Sequence, residues 1–178
     1  MKKGLVMMCL LAACMLVGCG GEDEKVIGGN NNSQQESNKN ENSEKAGYVF
    51  QSNGVSVVID AEAAPILDGL GKEDSYYESP SCAFGDLDKI YVYPGFEVDT
   101  YSLEGVDYVS AVIFLDDSVA TPEGVGIGET VDKVKEVYGE PTSETATMYA
   151  YVKDHMKLCF IINDGTVEAV EYRTMILE

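Results

Sequence analysis

The sequence is poor in basic residues and contains a single histidine. Its 178 residues include 12 Lys and Arg against 31 Asp and Glu, so the formal net charge is −19. Such a surface repels phosphate backbones and anionic lipid headgroups, which argues against nucleic acid as a partner and against a basic membrane-binding patch. Extracytoplasmic solubility is the simpler interpretation of this charge. A chain of this length, with 45% hydrophobic residues, allows one domain or two small halves that share a core.

The scarcity of histidine also limits the possible catalytic and metal sites. No Ser/His/Asp or Cys/His arrangement can be built without His155, which lies among charged residues where a solvated strand edge is the plainer interpretation. One histidine with Cys82 and Cys159 has no zinc-ligand spacing. Carboxylates are dense at residues 86–88 and 163–165, but no twelve-residue calcium loop is present. We therefore expect no enzyme activity, no cofactor and no metal.

The sequence has one apolar run near its start, at residues 4–17, and it is shorter than the roughly 20 residues that span a bilayer. It follows Lys2 and Lys3, so residues 1–18 are predicted to be a signal peptide. Residues 16–19, Leu-Val-Gly-Cys, resemble the lipobox of bacterial lipoproteins. That resemblance implies a diacylglycerol on the thiol of Cys19 and a place on the outer face of the cell membrane. A plain secretory signal or an ordinary transmembrane anchor is the alternative.

A second lipobox-like pattern ends at Cys14, but cleavage there would leave the apolar residues 15–17 exposed, whereas polar residues follow Cys19. Residues 20–46 are rich in Gly, Asn, Ser, Gln, Glu and Lys. Such a composition buries too little apolar surface to fold, so residues 19–46 are predicted to be a lipidated cysteine and a disordered tether. As a flexible coil this tether holds the domain about 30 Å from the membrane.

The remaining residues, 47–178, are predicted to form one globular domain. Asn-Gly at 53–54 between β-rich runs indicates an N-terminal β-hairpin. Residues 131–138 carry apolar side chains at helical spacing, Thr130 can cap that helix, and Gly139 can end it. Residues 63–70 have the same pattern 68 positions earlier. Each helix precedes three strand candidates, at 89–93, 96–101 and 108–115 and then at 148–152, 156–162 and 166–174.

These matches predict an α+β fold, a tandem repeat of a helix plus an antiparallel three-stranded meander at residues 47–120 and 121–178. Such a repeated unit resembles β-lactamase inhibitory protein. Together with the lipobox, the helix exit at residues 138–142 resembles the small outer-membrane assembly lipoproteins, and the whole chain looks like uncharacterised clostridial lipoproteins. Those families bind proteins, so the resemblance implies a lipid-anchored, non-enzymatic interaction module with an unknown protein or peptide partner. A ligand- or ion-binding accessory lipoprotein and an extracytoplasmic hydrolase are the alternatives.

The first of the two units has about ten extra residues between its helix and its strands, in a loop at residues 76–87. Tyr76, Tyr77, Cys82 and Phe84 lie in this loop and are the candidate partner-binding residues, because exposed aromatic side chains often anchor protein interfaces. The alternative is that these rings cover the end of the core. Outside the membrane Cys82 and Cys159 can pair as a disulfide, and a buried free thiol at Cys159 is the alternative.

Overall fold

The computed structural model describes residues 47–81 and 86–178. All of them belong to the unit that spans Asn40–Glu178. The predicted signal peptide, the lipidation site Cys19 and the tether lie outside the described residues, and so do Cys82 and Phe84.

The described residues form ten strands and two helices. In chain order they are β1 (Phe50–Ser52), β2 (Val55–Val57), α1 (Ala63–Leu70), β3 (Ser75–Pro80), β4 (Leu87–Tyr93), β5 (Phe96–Leu103), β6 (Val106–Phe114), α2 (Val131–Tyr138), β7 (Ser143–Glu144), β8 (Met148–Lys153), β9 (Met156–Asn163) and β10 (Thr166–Thr174).

Eight of the strands form a single antiparallel sheet in the order β3-β4-β5-β6-β10-β9-β8-β7, while β1 and β2 form a separate hairpin. The two halves of the large sheet meet where β6 pairs with β10, with Ile113 opposite Glu171 and Ala111 opposite Arg173. This pairing satisfies the backbone groups that each half would otherwise leave unpaired at an edge. The result is one continuous sheet rather than two.

The prediction of an α+β tandem repeat was wrong. The structure is mostly β, with 51% strand and 12% helix, and it is built on one eight-stranded sheet. Two strands were not predicted from the sequence: β3, which includes residues 76–80 of the predicted extra loop, and the two-residue β7. Apolar alternation along a strand reports which of its faces is buried, but it does not report which strands share a sheet.

Local signals in the sequence set the turns and helix ends. Asn53 and Gly54 have φ angles of 50° and 82°, the left-handed pair that joins β1 to β2. The Oγ1 atom of Thr130 accepts a hydrogen bond from the backbone N–H of Lys133 at 3.3 Å, so the predicted cap of α2 is confirmed. Gly139 ends α2 at a φ of 76°, as predicted.

The core lies between one face of the sheet and a layer made by α1, α2 and the β1–β2 hairpin. Phe50 of β1 packs against three aromatic rings of the sheet, with ring centroids 4.8 Å from Phe96, 5.2 Å from Phe114 and 6.0 Å from Tyr172. Ala63 of α1 and Val134 of α2 are fully buried in the same cluster. Because both helices and the hairpin cover this face, no helix or strand among residues 47–81 and 86–178 packs on the opposite face of the sheet.

Candidate functional site

The uncovered face of the sheet, which we call the open face, is defined by two rows of side chains that run across neighbouring strands. Strand register places the members of each row directly opposite one another. The first row is Val92, Glu97, Ile113, Glu171, Cys159 and Ala150, and the second is Ile90, Asp99, Ala111, Arg173, Lys157 and Val152.

Asp99 of β5 is the most perturbed group on the open face. It lies opposite Ile90 on one side and Ala111 on the other, and neither side chain can donate a hydrogen bond. Its Oδ1 atom is buried and has no hydrogen-bond partner. Burial, followed by the charge of Glu97, raises the pKa of Asp99 to about 7, although Arg173 opposes this shift. Asp99 is therefore a carboxyl group that lacks a partner.

Glu97 is the second unpaired acid of this face. It lies between Val92 and Ile113, and burial raises its pKa. Arg173, whose charge acts on Asp99, has its Nε atom paired with the Oε2 atom of Glu171 at 2.7 Å. Within the described part of the chain, no ion pair joins Glu97 or Asp99 to a cation. The open face thus offers two carboxyl groups to a positively charged partner.

Cys159 lies in the first row and is 3% exposed, and its thiol is free. Of the two alternatives left by the sequence, the structure shows the buried free thiol. Burial, followed by the charge of Glu171, raises the pKa of Cys159. A thiol in this state is a poor nucleophile at neutral pH, because the thiolate is the reactive form.

Of the four predicted partner-binding residues, the structure describes Tyr76 and Tyr77, and these two lie on opposite faces of the sheet. Tyr76 and Tyr77 belong to the edge strand β3 rather than to a loop, so that part of the prediction was wrong. Because successive side chains of a strand alternate, Tyr77 lies opposite Ile90 on the open face, whereas Tyr76 lies opposite Tyr91 on the helix side. Their exposures are 60% for Tyr77 and 41% for Tyr76. An edge strand with a proline at its end is a weak signal in sequence, which explains the error.

A cleft of about 420 Å³ lies between α1 and the strands β4 and β6. Its lining includes the rings of Tyr91 and Tyr93 and the carboxyl groups of Asp68, Glu73 and Asp107. The Oδ2 atom of Asp107 is already paired with the Nζ atom of Lys89 at 2.6 Å. The other two acids have no cation partner among the described residues. This cleft is on the helix side of the sheet, away from the open face.

The other residues that the sequence offered for catalysis or metal binding form no site among the described residues. His155 is exposed at the turn between β8 and β9. Among residues 47–81 and 86–178, no group of three or more His, Cys, Asp and Glu side chains is arranged to hold a metal ion. No helix in this part of the chain is long and apolar enough to cross a membrane. Glu97 and Asp99 were not predicted as site residues. In the sequence they are marked only by their alternation with the apolar residues Phe96 and Val98 of β5.

Comparisons with known proteins add little. No protein-family model matches the sequence, and no curated protein matches it either. Among solved structures, the chain is similar to a DUF4309 family protein (YjgB) from Bacillus subtilis, with 16% sequence identity and a TM-score of 0.42. The similarity covers 72% of this chain and 88% of the Bacillus chain.

Proposed function

We propose that the protein is a lipid-anchored, extracytoplasmic interaction module that binds a basic partner protein through the open face. The observation that carries this proposal is a pair of half-buried carboxyl groups, those of Glu97 and Asp99, which have no ion-pair partner among the described residues and lie on a sheet face that no described helix or strand covers. Burying a carboxyl group without a partner is costly, so a docked cation relieves that cost.

The charge of the chain supports a basic partner. A formal net charge of −19 attracts positively charged surfaces and accelerates encounter with them. On the open face itself, Arg173 and Lys157 are engaged by Glu171 and Glu178. A lysine or arginine of the partner that reaches Asp99 would pair with it and lower its pKa. Binding should therefore be accompanied by proton release near neutral pH.

The chemistry of the face favours binding over turnover. Its potential nucleophile, the thiol of Cys159, is held in the protonated form by burial. β-lactamase inhibitory protein and the small outer-membrane assembly lipoproteins also bind proteins, but the first resemblance depended on a tandem architecture that the chain does not form. The support for binding therefore comes from the open face and not from similarity to a protein family.

We infer the lipid anchor from the lipobox at residues 16–19 and from the polar segment that follows it. Replacing Cys19 with alanine should release the protein from membranes, since the lipid is attached to that thiol. Continued membrane retention of the Cys19→Ala variant would contradict lipidation at this residue. The test is fractionation of cells that express the full chain, with Cys14→Ala as the matched control that should stay in the membrane fraction.

The binding surface can be tested by site-specific photo-crosslinking on intact cells. A photo-reactive residue in place of Ile113, at the centre of the open face, should give a discrete adduct, whereas one in place of Glu136 on the exposed side of α2 should not. The protein in the adduct, once identified and purified, should bind the wild-type chain. The Glu97→Gln, Asp99→Asn double variant should bind it at least tenfold more weakly, because two charge-assisted contacts are lost.

The matched control for that measurement is the Asp116→Asn, Asp117→Asn double variant, which removes the same charge from an exposed turn. Equal loss of affinity in both double variants would show a general charge effect and refute the open face as the site. An adduct of equal yield from positions 113 and 136 would refute it as well.

A further inference from the structure

We propose that the cleft beside α1 is a binding site for a primary ammonium group. This site is separate from the open face, because the cleft lies on the helix side of the sheet. Its ligand is an alkylammonium ion, presented either by a free amine or by a lysine side chain. The surroundings of the two helices differ, since a lysine of the protein itself pairs with the acids beside α2, whereas Asp68 and Glu73 beside α1 have no cation partner among the described residues.

Beside α2 the protein holds an ammonium group of its own. The Nζ atom of Lys135 lies 5.0 Å from the centroid of the Tyr149 ring. The same Nζ atom is 3.4 Å from Glu140 and 3.3 Å from Glu144. One aromatic face and two carboxylates thus surround one cation, which is the usual composition of an ammonium site.

Beside α1 an aromatic ring and acidic side chains are again present, but the ammonium group found there, that of Lys89, is already paired with Asp107. Each helix has eight residues, and the fifth residue is Lys135 in α2 but Leu67 in α1. Leu67 lines the cleft together with the ring of Tyr91 and the carboxyl groups of Asp68 and Glu73. An aliphatic side chain cannot neutralise Asp68 and Glu73, and neither acid has a cation partner among the described residues.

A buried tyrosine hydroxyl provides the second, independent observation. Beside α2, the hydroxyl of Tyr151 donates a hydrogen bond to the carbonyl oxygen of Gly139, the residue that ends the helix, at 2.9 Å. Beside α1, Tyr93 and Gly71, the residue that ends that helix, both line the cleft. Tyr93 is only 5% exposed, yet its hydroxyl has no hydrogen-bond partner within the described part of the chain.

A buried hydroxyl without a partner is costly, and such groups in native structures usually mark a missing ligand or water. Burial raises the pKa of the Tyr93 phenol, and the charge of the neighbouring Glu73 carboxylate raises it further. An ammonium group has three N–H donors. It can donate to the carboxylate of Glu73, to that of Asp68 and to the Tyr93 oxygen, while its alkyl chain rests on Leu67 and the Tyr91 ring.

The test is titration of the full chain with n-butylammonium, followed by calorimetry and by the amide NMR signals of α1 and β4. Neutral n-butanol is the matched ligand that lacks the charge and the N–H donors. We expect n-butylammonium to bind at least tenfold more tightly than n-butanol, and to shift signals beside α1 and not on the open face. Equal binding of the two ligands, or shifts spread over the whole acidic surface, would overturn the proposal.

Two variants locate the site. Glu73→Gln should weaken n-butylammonium binding by about tenfold, because it removes one charge-assisted hydrogen bond. The matched control, Glu144→Gln, removes a carboxylate beside α2 and should leave the affinity unchanged. Leu67→Lys gives α1 an internal cation like Lys135 and should abolish binding, whereas Leu67→Met should retain it. Undiminished binding to both Glu73→Gln and Leu67→Lys would place the ligand elsewhere and refute the site.

A second pair of ligands identifies the source of the ammonium group. A capped Gly-Lys-Gly peptide presents a lysine side chain, and its Nε-acetylated form removes the charge. Tighter binding of the lysine peptide than of n-butylammonium supports a partner protein, and the reverse supports a free amine. If neither the peptide nor the free amine binds, the proposal fails. The proposal about the open face is unaffected by that failure, because its own test depends on Glu97 and Asp99.

Discussion

The carboxyl group of Asp99 should make the stability of the protein fall as the pH rises from about 4 to about 7. Burial, and then the charge of Glu97, raise its pKa from the ordinary value of 3.8 to about 7. Between these two values the folded protein keeps a proton that the unfolded chain has lost, so the free energy of unfolding decreases with rising pH. This cost is absent below pH 4 and fully present above pH 7.

The size of the effect follows from the same two numbers. The difference between about 7 and 3.8 is about 3 pH units, and each unit corresponds to about 1.4 kcal/mol. Ionisation of Asp99 therefore destabilises the folded protein by about 4 kcal/mol above pH 7. Asp99→Asn removes the ionisation, and its amide is left without partners at a cost of about 1 kcal/mol or more. At pH 8 we expect the variant to be more stable than the wild type by about 2–3 kcal/mol.

The assay is urea denaturation of both proteins at pH 4, 6 and 8, analysed as the free energy of unfolding. The advantage of Asp99→Asn should vanish or reverse at pH 4, where the wild-type carboxyl is protonated. Asp117→Asn, in an exposed turn, controls for the loss of one negative charge. If the difference between wild type and Asp99→Asn is the same at pH 4 and pH 8, the carboxyl is not buried without a partner, and the reasoning about the open face fails with it.

Three further predictions concern the scaffold. Thr130→Ala should lower the free energy of unfolding by about 1 kcal/mol, because α2 loses its cap; an unchanged urea midpoint would contradict the cap. Phe50→Ala should lower it by about 3–5 kcal/mol, since the residue is 1% exposed within an aromatic cluster, and its exposed neighbour Gln51→Ala should have little effect. In the full chain carrying Cys9→Ala, Cys14→Ala, Cys19→Ala and Cys82→Ala, Cys159 should resist a thiol reagent until urea unfolds the protein, and rapid labelling of the native state would show that it is accessible.

Sequence patterns identified local structure well in this protein. The turn at Asn53 and Gly54, the Thr130 cap and the glycine that ends α2 each depend on interactions within a few residues. Such interactions can be inferred from neighbouring residues alone. The strand β3 is the exception, because its six residues mix tyrosines with polar residues and proline, and its pairing with β4 defines it as a strand.

The candidate sites were beyond the reach of sequence patterns. Asp99 matters because Ala111, Ile90 and Arg173 surround it, and those residues come from three other strands. In the sequence it is one of 31 acidic residues with nothing to distinguish it. The cleft depends in the same way on α1, β4 and β6 meeting, and on Tyr93 being left without a hydrogen-bond partner.

The amino-acid sequence by itself determined the helices, most of the strands, the turns and the negative charge of this protein, because these follow from residue types and short spacings. Tertiary structure alone decided that β6 pairs with β10, that no described helix or strand covers one face of the resulting sheet, and that Glu97 and Asp99 are half-buried there without a cation partner among the described residues. The physical reason is distance along the chain. Ile113 and Glu171 face each other although they are 58 positions apart in the sequence (171 minus 113), and burial at such a junction depends on every strand that surrounds it.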